Sequence, residues 1–359
     1  MTRATSAVID LDALRHNFQV LSQRADGARV MAVVKANAYG HGLEAVVRAL
    51  PEAELFAVAS LDEARRIRAA GVDTPVLLLE GAFAPEEISL AAEAGFELVV
   101  HTQRQLAWLE AYSGSRLPIW VKLDTGMNRL GFKLDEFPAA WQRVLDSNAV
   151  AGTPRLMTHL AKADDLDEAA TSAQIELFRE ATEHLGGELS IANSAGTLAF
   201  PASHADWVRP GVSLYGVSPI IDENGTEQNL RPVMTVSTEL IAVKQMAAGE
   251  SIGYGGRFTA DKPKRYGIAA IGYGDGYPRH AGNGTPVLVN GQRVPLIGRV
   301  SMDMIAVDLD SQPDAQEGDE VVLWGRGLPV EEIAVAAGTI PYELLCGVTQ
   351  RVDFTLQGE

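Results

Sequence analysis

Through the first 230 residues, short apolar runs alternate with segments whose apolar positions recur every three or four residues. The runs fall at 30–36, 55–59, 75–79, 97–101, 118–123, 155–160, 188–192 and 212–215, and most are apolar at consecutive positions. That pattern predicts parallel strands covered on both faces, because a strand with one wet face alternates. The amphipathic stretches 61–70, 86–94, 103–112 and 169–184 predict helices, and connectors such as Ala94-Gly95-Phe96 read as helix stops. Eight strands with intervening helices in ~200 residues predict an α/β fold, a (β/α)8 TIM-type barrel. An open doubly wound sheet would also alternate, but eight strands favour closure.

After residue 230 the rhythm changes to β-type runs at 234–244, 265–271, 285–290, 293–297, 304–309 and 320–324. Asn290-Gly291 between apolar triplets is a hairpin signature, and Glu317-Gly318-Asp319 is a second turn signal. A short helix is expected over 330–337 and a last strand over 351–356. The expected organisation is a barrel over residues 1–230 followed by a mostly antiparallel β C-terminal domain over 231–359.

Composition narrows the function classes. With 47% hydrophobic and 21% charged residues the chain is expected to fold. Its 30 Lys+Arg against 47 Asp+Glu give a net charge of −17, which argues against a nucleic-acid groove or an anionic membrane surface as partner. The single cysteine, Cys346, excludes an intramolecular disulfide framework and a cysteine-built zinc site, so no metal is expected. The first 14 residues lack the apolar core of a signal peptide, and no apolar run is long enough to span a membrane, so a cytoplasmic protein is expected.

Candidate chemistry gathers at predicted strand ends, where a barrel of this kind builds its active face. Lys35 lies near the end of the first run, beside a turn containing Tyr39 and glycines. A lysine desolvated there becomes an amine nucleophile, although strand-end lysines also snorkel to solvent. Polar clusters recur at 122–131, at Thr158-His159, at Asn193-Ser194-Ala195-Gly196 and at Arg209-Pro210-Gly211. Taken singly these are ordinary: Asp-Thr-Gly is a turn, Asn-Ser a helix cap, Arg-Pro-Gly a loop. Their recurrence at successive strand ends is not explained by turn chemistry. The Ser194 hydroxyl and the amides of Gly211 and Val212 suit a phosphate, and an amine plus a phosphate site suggests pyridoxal 5'-phosphate (PLP). No P-loop, dinucleotide fingerprint or HExxH helix is present.

The run Val34-Lys35-Ala36-Asn37-Ala38-Tyr39-Gly40-His41-Gly42 resembles the PLP-lysine motif of bacterial alanine racemases. The resemblance covers essentially the whole chain and takes in 122–131, Ala192-Asn193-Ser194-Ala195-Gly196, Arg209-Pro210-Gly211, Gly253-Tyr254-Gly255, 271–276 and 298–303. It implies PLP-dependent, two-base interconversion of L- and D-alanine that supplies D-alanine for peptidoglycan, in a homodimer with composite active sites. By the same resemblance Lys35 carries PLP and acts as one base, and Tyr254 from the partner subunit is the other. His159 and Arg209 form a hydrogen-bonded chain that eases deprotonation of that tyrosine, and Arg209 also faces the pyridine nitrogen. Arg129 sits near the PLP phenolic oxygen and holds the substrate carboxylate, while Lys122 matches a position carbamylated in some members. Tyr39, Ser194, Gly211, Val212 and Tyr342 hold the phosphate. Met302 and Asp303 reach the substrate pocket from the second subunit, and Tyr273 narrows the entrance.

Two other classes compete. A PLP carrier on a similar barrel would need neither the C-terminal domain nor Tyr254 and Met302-Asp303. A basic amino-acid decarboxylase of related fold would release carbon dioxide from L-lysine rather than racemise L-alanine.

Overall fold

The computed structural model describes residues 4–166 and 168–358; residues 1–3 of the segment screened for a leader lie outside them. Eight parallel strands, Arg29–Val33, Leu55–Val58, Val76–Leu78, Glu97–Val100, Ile119–Lys122, Arg155–Met157, Leu189–Ser190 and Trp207–Val208, form a closed barrel. Closure pairs Arg29 with Trp207 and Val30 with Val208. Nearly every strand residue is buried, which is why the runs are continuously apolar.

The eighth strand corrects the sequence expectation. Val212–Tyr215 is a buried 3-10 turn, and the closing strand is Trp207–Val208. Asn17, on the helix Leu11–Arg24, donates to the carbonyls of Leu214 and Arg231 and so satisfies the coiled backbone there. A short buried apolar run does not by its pattern distinguish a strand from a helical turn.

Two barrel helices begin at side-chain caps. Ser60 accepts from Glu63 N at the start of Leu61–Ala69, and Thr102 accepts from Gln105 N at the start of Gln103–Ala111. Gly95, with φ 68°, ends Pro85–Ala94 in the left-handed conformation the stop signal implied. At the end of the barrel where strands begin, Glu97 accepts from Trp120 Nε1 at 2.6 Å and Arg155 at 2.7 Å, and Glu188 accepts from Arg155 and Trp207. This plug leaves the opposite, strand-carboxyl end for a pocket.

The second sheet runs in the order Lys264–Ala269, Ile305–Asp308, Gln292–Ile297, Pro286–Val289, Glu320–Trp324, Met234–Met246, Ser6–Asp10 and Asp353–Gln357. Met234–Met246 also pairs with Lys264–Ala269, so the first six strands close on themselves. All pairings are antiparallel except Ser6–Asp10 with Asp353–Gln357. Ser6–Asp10 thus joins this sheet although it precedes the barrel in sequence. The Asn290-Gly291 hairpin forms as expected, with φ 49° and 76° and Val289 opposite Gln292. The helix Val330–Ala337 also falls where expected. No helix among the described residues is long and apolar enough to cross a membrane.

Candidate active site

A cavity of about 950 Å³ opens at the carboxyl ends of the barrel strands. It brings together Lys35, Tyr39, Lys122, Arg129, His159, Ser194, Arg209, Gly211, Val212 and Tyr342. Tyr254, Tyr273, Met302 and Asp303 do not line it.

Lys35 follows the strand Arg29–Val33 and opens a turn in which Ala36, Asn37, Ala38 and Tyr39 all have φ between 52° and 55°. Four consecutive left-handed residues without glycine are costly, at roughly 1–2 kcal/mol each for L-residues. Neighbouring bonds over-determine the turn: Ala38 N donates to Val34 O, Gly40 N to Ala36 O and Gly42 N to Asn37 O. His41 packs beneath, its Nδ1 within 3.0 Å of the carbonyls of Ala38 and Tyr39 and its ring stacked on Tyr215. Burial lowers His41 to about 4, so the imidazole there is neutral. Gly40 lets the helix Pro341–Cys346 approach, since a Cβ would stand 2.2 Å from Leu345 O.

Basic groups gather on the cavity floor. Arg209 is buried and donates to Ser190 Oγ at 2.7 Å and to the carbonyls of Thr158 and Ile191, all neutral oxygens. None of these bonds uses its Nε. Burial lowers Arg209 to about 10, so it stays charged at neutral pH. His159 is driven well below the usual histidine value by burial, then by Arg209, Lys122, Arg129 and Lys35, and is neutral. Arg129 is exposed on the loop after Ile119–Lys122, which Asp124 folds by accepting from Gly126 N, Asn128 N and Lys133 Nζ.

Lys122 ends its strand inside this floor. Burial first, then Arg209, Arg129 and Lys35, bring it down from 10.5 to about 7, against the pull of Asp124. The unfolded chain holds this proton more tightly than the fold does, so stability falls as pH drops from 10.5 towards 7 and the penalty is full below that. Lys122→Met is therefore expected to raise the melting temperature of the cofactor-free protein by roughly 2–5 °C at pH 6 and hardly at all at pH 10.5. Melts in carbon dioxide-free buffer check this; an equal shift at both pH values contradicts it.

On the far side, Ser194 opens the helix Ser194–Ala199, capped by Asn193, and its Oγ accepts from Gly211 N at 2.8 Å. A Cβ at Gly211 would stand 2.4 Å from Tyr39 Oη. Burial and the neighbouring Tyr342 raise Tyr39, and burial pushes Tyr342 up to about 12, so both keep their protons as donors. Two lining groups carried no sequence signal of their own. Glu331 Oε1 accepts from Ser218 N and Gly225 N, tying Val330–Ala337 to the barrel's closing segment. Cys346 lies four residues after Tyr342 on one helix face, a spacing that does place both on the cavity.

The remaining candidates lie elsewhere, after residue 230. Tyr254 is 71% exposed at the tip of the hairpin joining Ser251–Ile252 to Phe258–Thr259, between Gly253 and Gly255 with φ of 73° and 75°. Tyr273 N donates to Ser301 O, and Gly274 N to Met302 O. Met302 is 51% exposed, and Asp303 accepts from Arg351 at 2.6 Å.

Comparison with known proteins decides the family. The alanine racemase N-terminal domain matches residues 9–219, and the alanine racemase C-terminal domain matches residues 233–356. The chain belongs to the alanine racemase family. An alanine racemase of Aeromonas hydrophila is 50% identical over 351 residues, 98% of each chain, and one of Aromatoleum aromaticum is 50% identical over 359 residues, 99% of this chain and all of that one. The structure of a biosynthetic alanine racemase from Pseudomonas aeruginosa aligns with a TM-score of 0.97 at 44% identity, over 99% of this chain and 100% of that chain. Alanine racemases are PLP-dependent isomerases, and interconversion of L- and D-alanine is the activity of this chain.

Proposed function

We propose that this chain racemises alanine with PLP held on Lys35, by two bases of which the second, Tyr254, comes from the partner subunit of a homodimer. In that reading the barrel within residues 1–230 binds PLP, and residues 231–359, whose sheet also takes in Ser6–Asp10, complete the partner's site. The observation that carries it is the separation just described: a cavity with an amine and a phosphate-like donor set, and an exposed tyrosine that does not line it.

The donor set suits PLP. Lys35 supplies a primary amine; Tyr39, Ser194 and Tyr342 supply hydroxyls, and Gly211 and Val212 backbone amides. Bound PLP would serve as the electron sink for the carbanion at Cα. Arg209, charged and with its Nε uncommitted, suits the ring nitrogen; since an arginine does not readily give up its proton, the sink stays weak and side reactions are restrained. Arg129 suits the substrate carboxylate, with Met302 and Asp303 of the partner subunit beside it. Neutral His159 next to charged Arg209 suits a relay that takes the phenolic proton of the partner's Tyr254. Lys122, partly neutral near pH 7, presents the amine form that carbamylation requires. Tyr273 of the partner subunit narrows the approach. The product suits D-alanine supply for peptidoglycan, and the free thiol of Cys346 suits the reducing cytoplasm.

The test is borohydride reduction of the holoenzyme followed by peptide mapping, beside a D-alanine assay. Label on Lys35 and D-alanine formation are expected; label on another lysine contradicts the assignment. Gly211→Ala, which presses a methyl against Tyr39, is expected to weaken PLP binding about tenfold in titrations of the cofactor-free protein. Unchanged affinity would contradict the cradle.

A further inference from the structure

The strained turn that carries Lys35 is held by groups that do not line the cavity. Asn37 Oδ1 accepts from Arg66 Nη2 at 2.7 Å and from Leu43 N at 3.2 Å. Asn37 N donates to Glu63 Oε1 at 3.4 Å, and the other oxygen of Glu63 accepts from Ala59 N at 3.0 Å. Glu63 and Arg66 stand three apart on Leu61–Ala69, on one face, and grip the backbone and the side chain of the same residue. Arg66 is itself fixed by Glu44, with Nε to Oε1 at 2.8 Å and Nη2 to Oε2 at 3.0 Å. Glu44 lies on Leu43–Ala49, the helix that leaves the turn.

Arg66 therefore joins three pieces: the left-handed turn, the helix after it and the helix that follows the next barrel strand. Within the turn only Asn37 offers a polar side chain outside the cavity, because Ala36 and Ala38 have none to offer. An asparagine tolerates the left-handed region through local hydrogen bonds, and here those bonds are supplied by Leu43 N and by a guanidinium from another element.

We infer that Arg66 is a positioning residue for Lys35, acting through Asn37 and touching neither substrate nor cofactor. The inference rests on Lys35 being the cofactor lysine. An exposed ion pair contributes little to global stability, whereas a small displacement of a reacting nitrogen costs rate steeply. Loss of Arg66 should thus appear in turnover and in the colour of the bound cofactor, with the fold's melting temperature almost unmoved. A purely structural role would give the opposite split.

The experiment compares Arg66→Ala, Arg66→Lys and Lys35→Ala as PLP-loaded proteins. It measures kcat and KM for L-alanine, the visible absorbance maximum, and the melting temperature. The expected result for Arg66→Ala is kcat lower by about tenfold with KM within about twofold, a shifted maximum and a melting temperature within about 2 °C of the parent. Arg66→Lys, which keeps one donor for Asn37, should recover most of the rate. A kcat within about twofold of the parent overturns the inference, as does a loss of rate that follows melting temperature and that lysine does not rescue. If Lys35→Ala loses the absorbance while Arg66→Ala behaves as the parent, the inference alone fails. If Lys35→Ala keeps the absorbance, the lysine assignment and the inference fall together.

Discussion

Lys35→Ala should remove the visible absorbance of bound PLP and lower alanine racemisation by at least about 10³-fold, while Lys122→Met should stay coloured. The contrast matters because the cavity holds two amines. Burial and the surrounding cations bring Lys122 down to about 7, an acidity that would suit a nucleophilic amine. It is also almost fully buried, at the end of a strand, within electrostatic reach of Arg209 and Arg129. Lys35 stands on the turn that bends out of the first strand, beside Tyr39 and opposite the Ser194–Gly211 bond. Nucleophilicity follows access as well as pKa, and access favours Lys35. A colourless Lys122→Met with a coloured Lys35→Ala would reverse the assignment.

Tyr254→Phe should be the second large effect, with a loss of ~10²–10⁴-fold in keeping with removal of one acid–base group. The diagnostic is its asymmetry. Two bases on opposite faces of Cα each take the proton from a different enantiomer. Removing one should raise the primary deuterium isotope effect when Tyr254 would abstract, and leave it nearly unchanged when Lys35 does. Equal, small changes in both directions would argue against two bases. An ordinary phenol titrates at about 10, so a nearby neutral acceptor is needed for it to act at neutral pH. His159 is held neutral by burial and by the surrounding cations. His159→Gln should accordingly slow the same direction that Tyr254→Phe slows.

Much of this was legible in the chain because the signals were local. Continuous apolar runs mark strands buried on both faces, and Asn290-Gly291 marks a two-residue hairpin since both positions require positive φ. The candidate residues at strand ends converge because closure of a parallel barrel brings all carboxyl ends to one rim. What was hidden depends on distant partners. Ser6–Asp10 is five residues long, and its neighbours in the sheet are Met234–Met246 and Asp353–Gln357. Val212–Tyr215 looks like a strand but coils, with its Leu214 carbonyl met by Asn17, nearly 200 residues earlier. The left-handed turn at Ala36 to Tyr39 has no glycine to announce it, and its stability comes from Arg66, Glu63 and the packing of His41. Glu331 reads as an ordinary first-turn acid until its carboxylate is seen accepting from Ser218 N and Gly225 N, more than 100 residues earlier.

The composite nature of the site is tested most directly by mixing two inactive variants, Lys35→Ala and Tyr254→Phe, under conditions that exchange subunits. A hybrid dimer carries one site with both defects and one with Lys35 from the Tyr254→Phe subunit and Tyr254 from the Lys35→Ala subunit, both intact. Random exchange of equal amounts should restore about a quarter of the parent activity, since half the dimers are hybrids with one working site of two. If instead Lys35 and Tyr254 of the same chain served one site, every site in the mixture would keep a defect and activity would stay at the level of the separate variants.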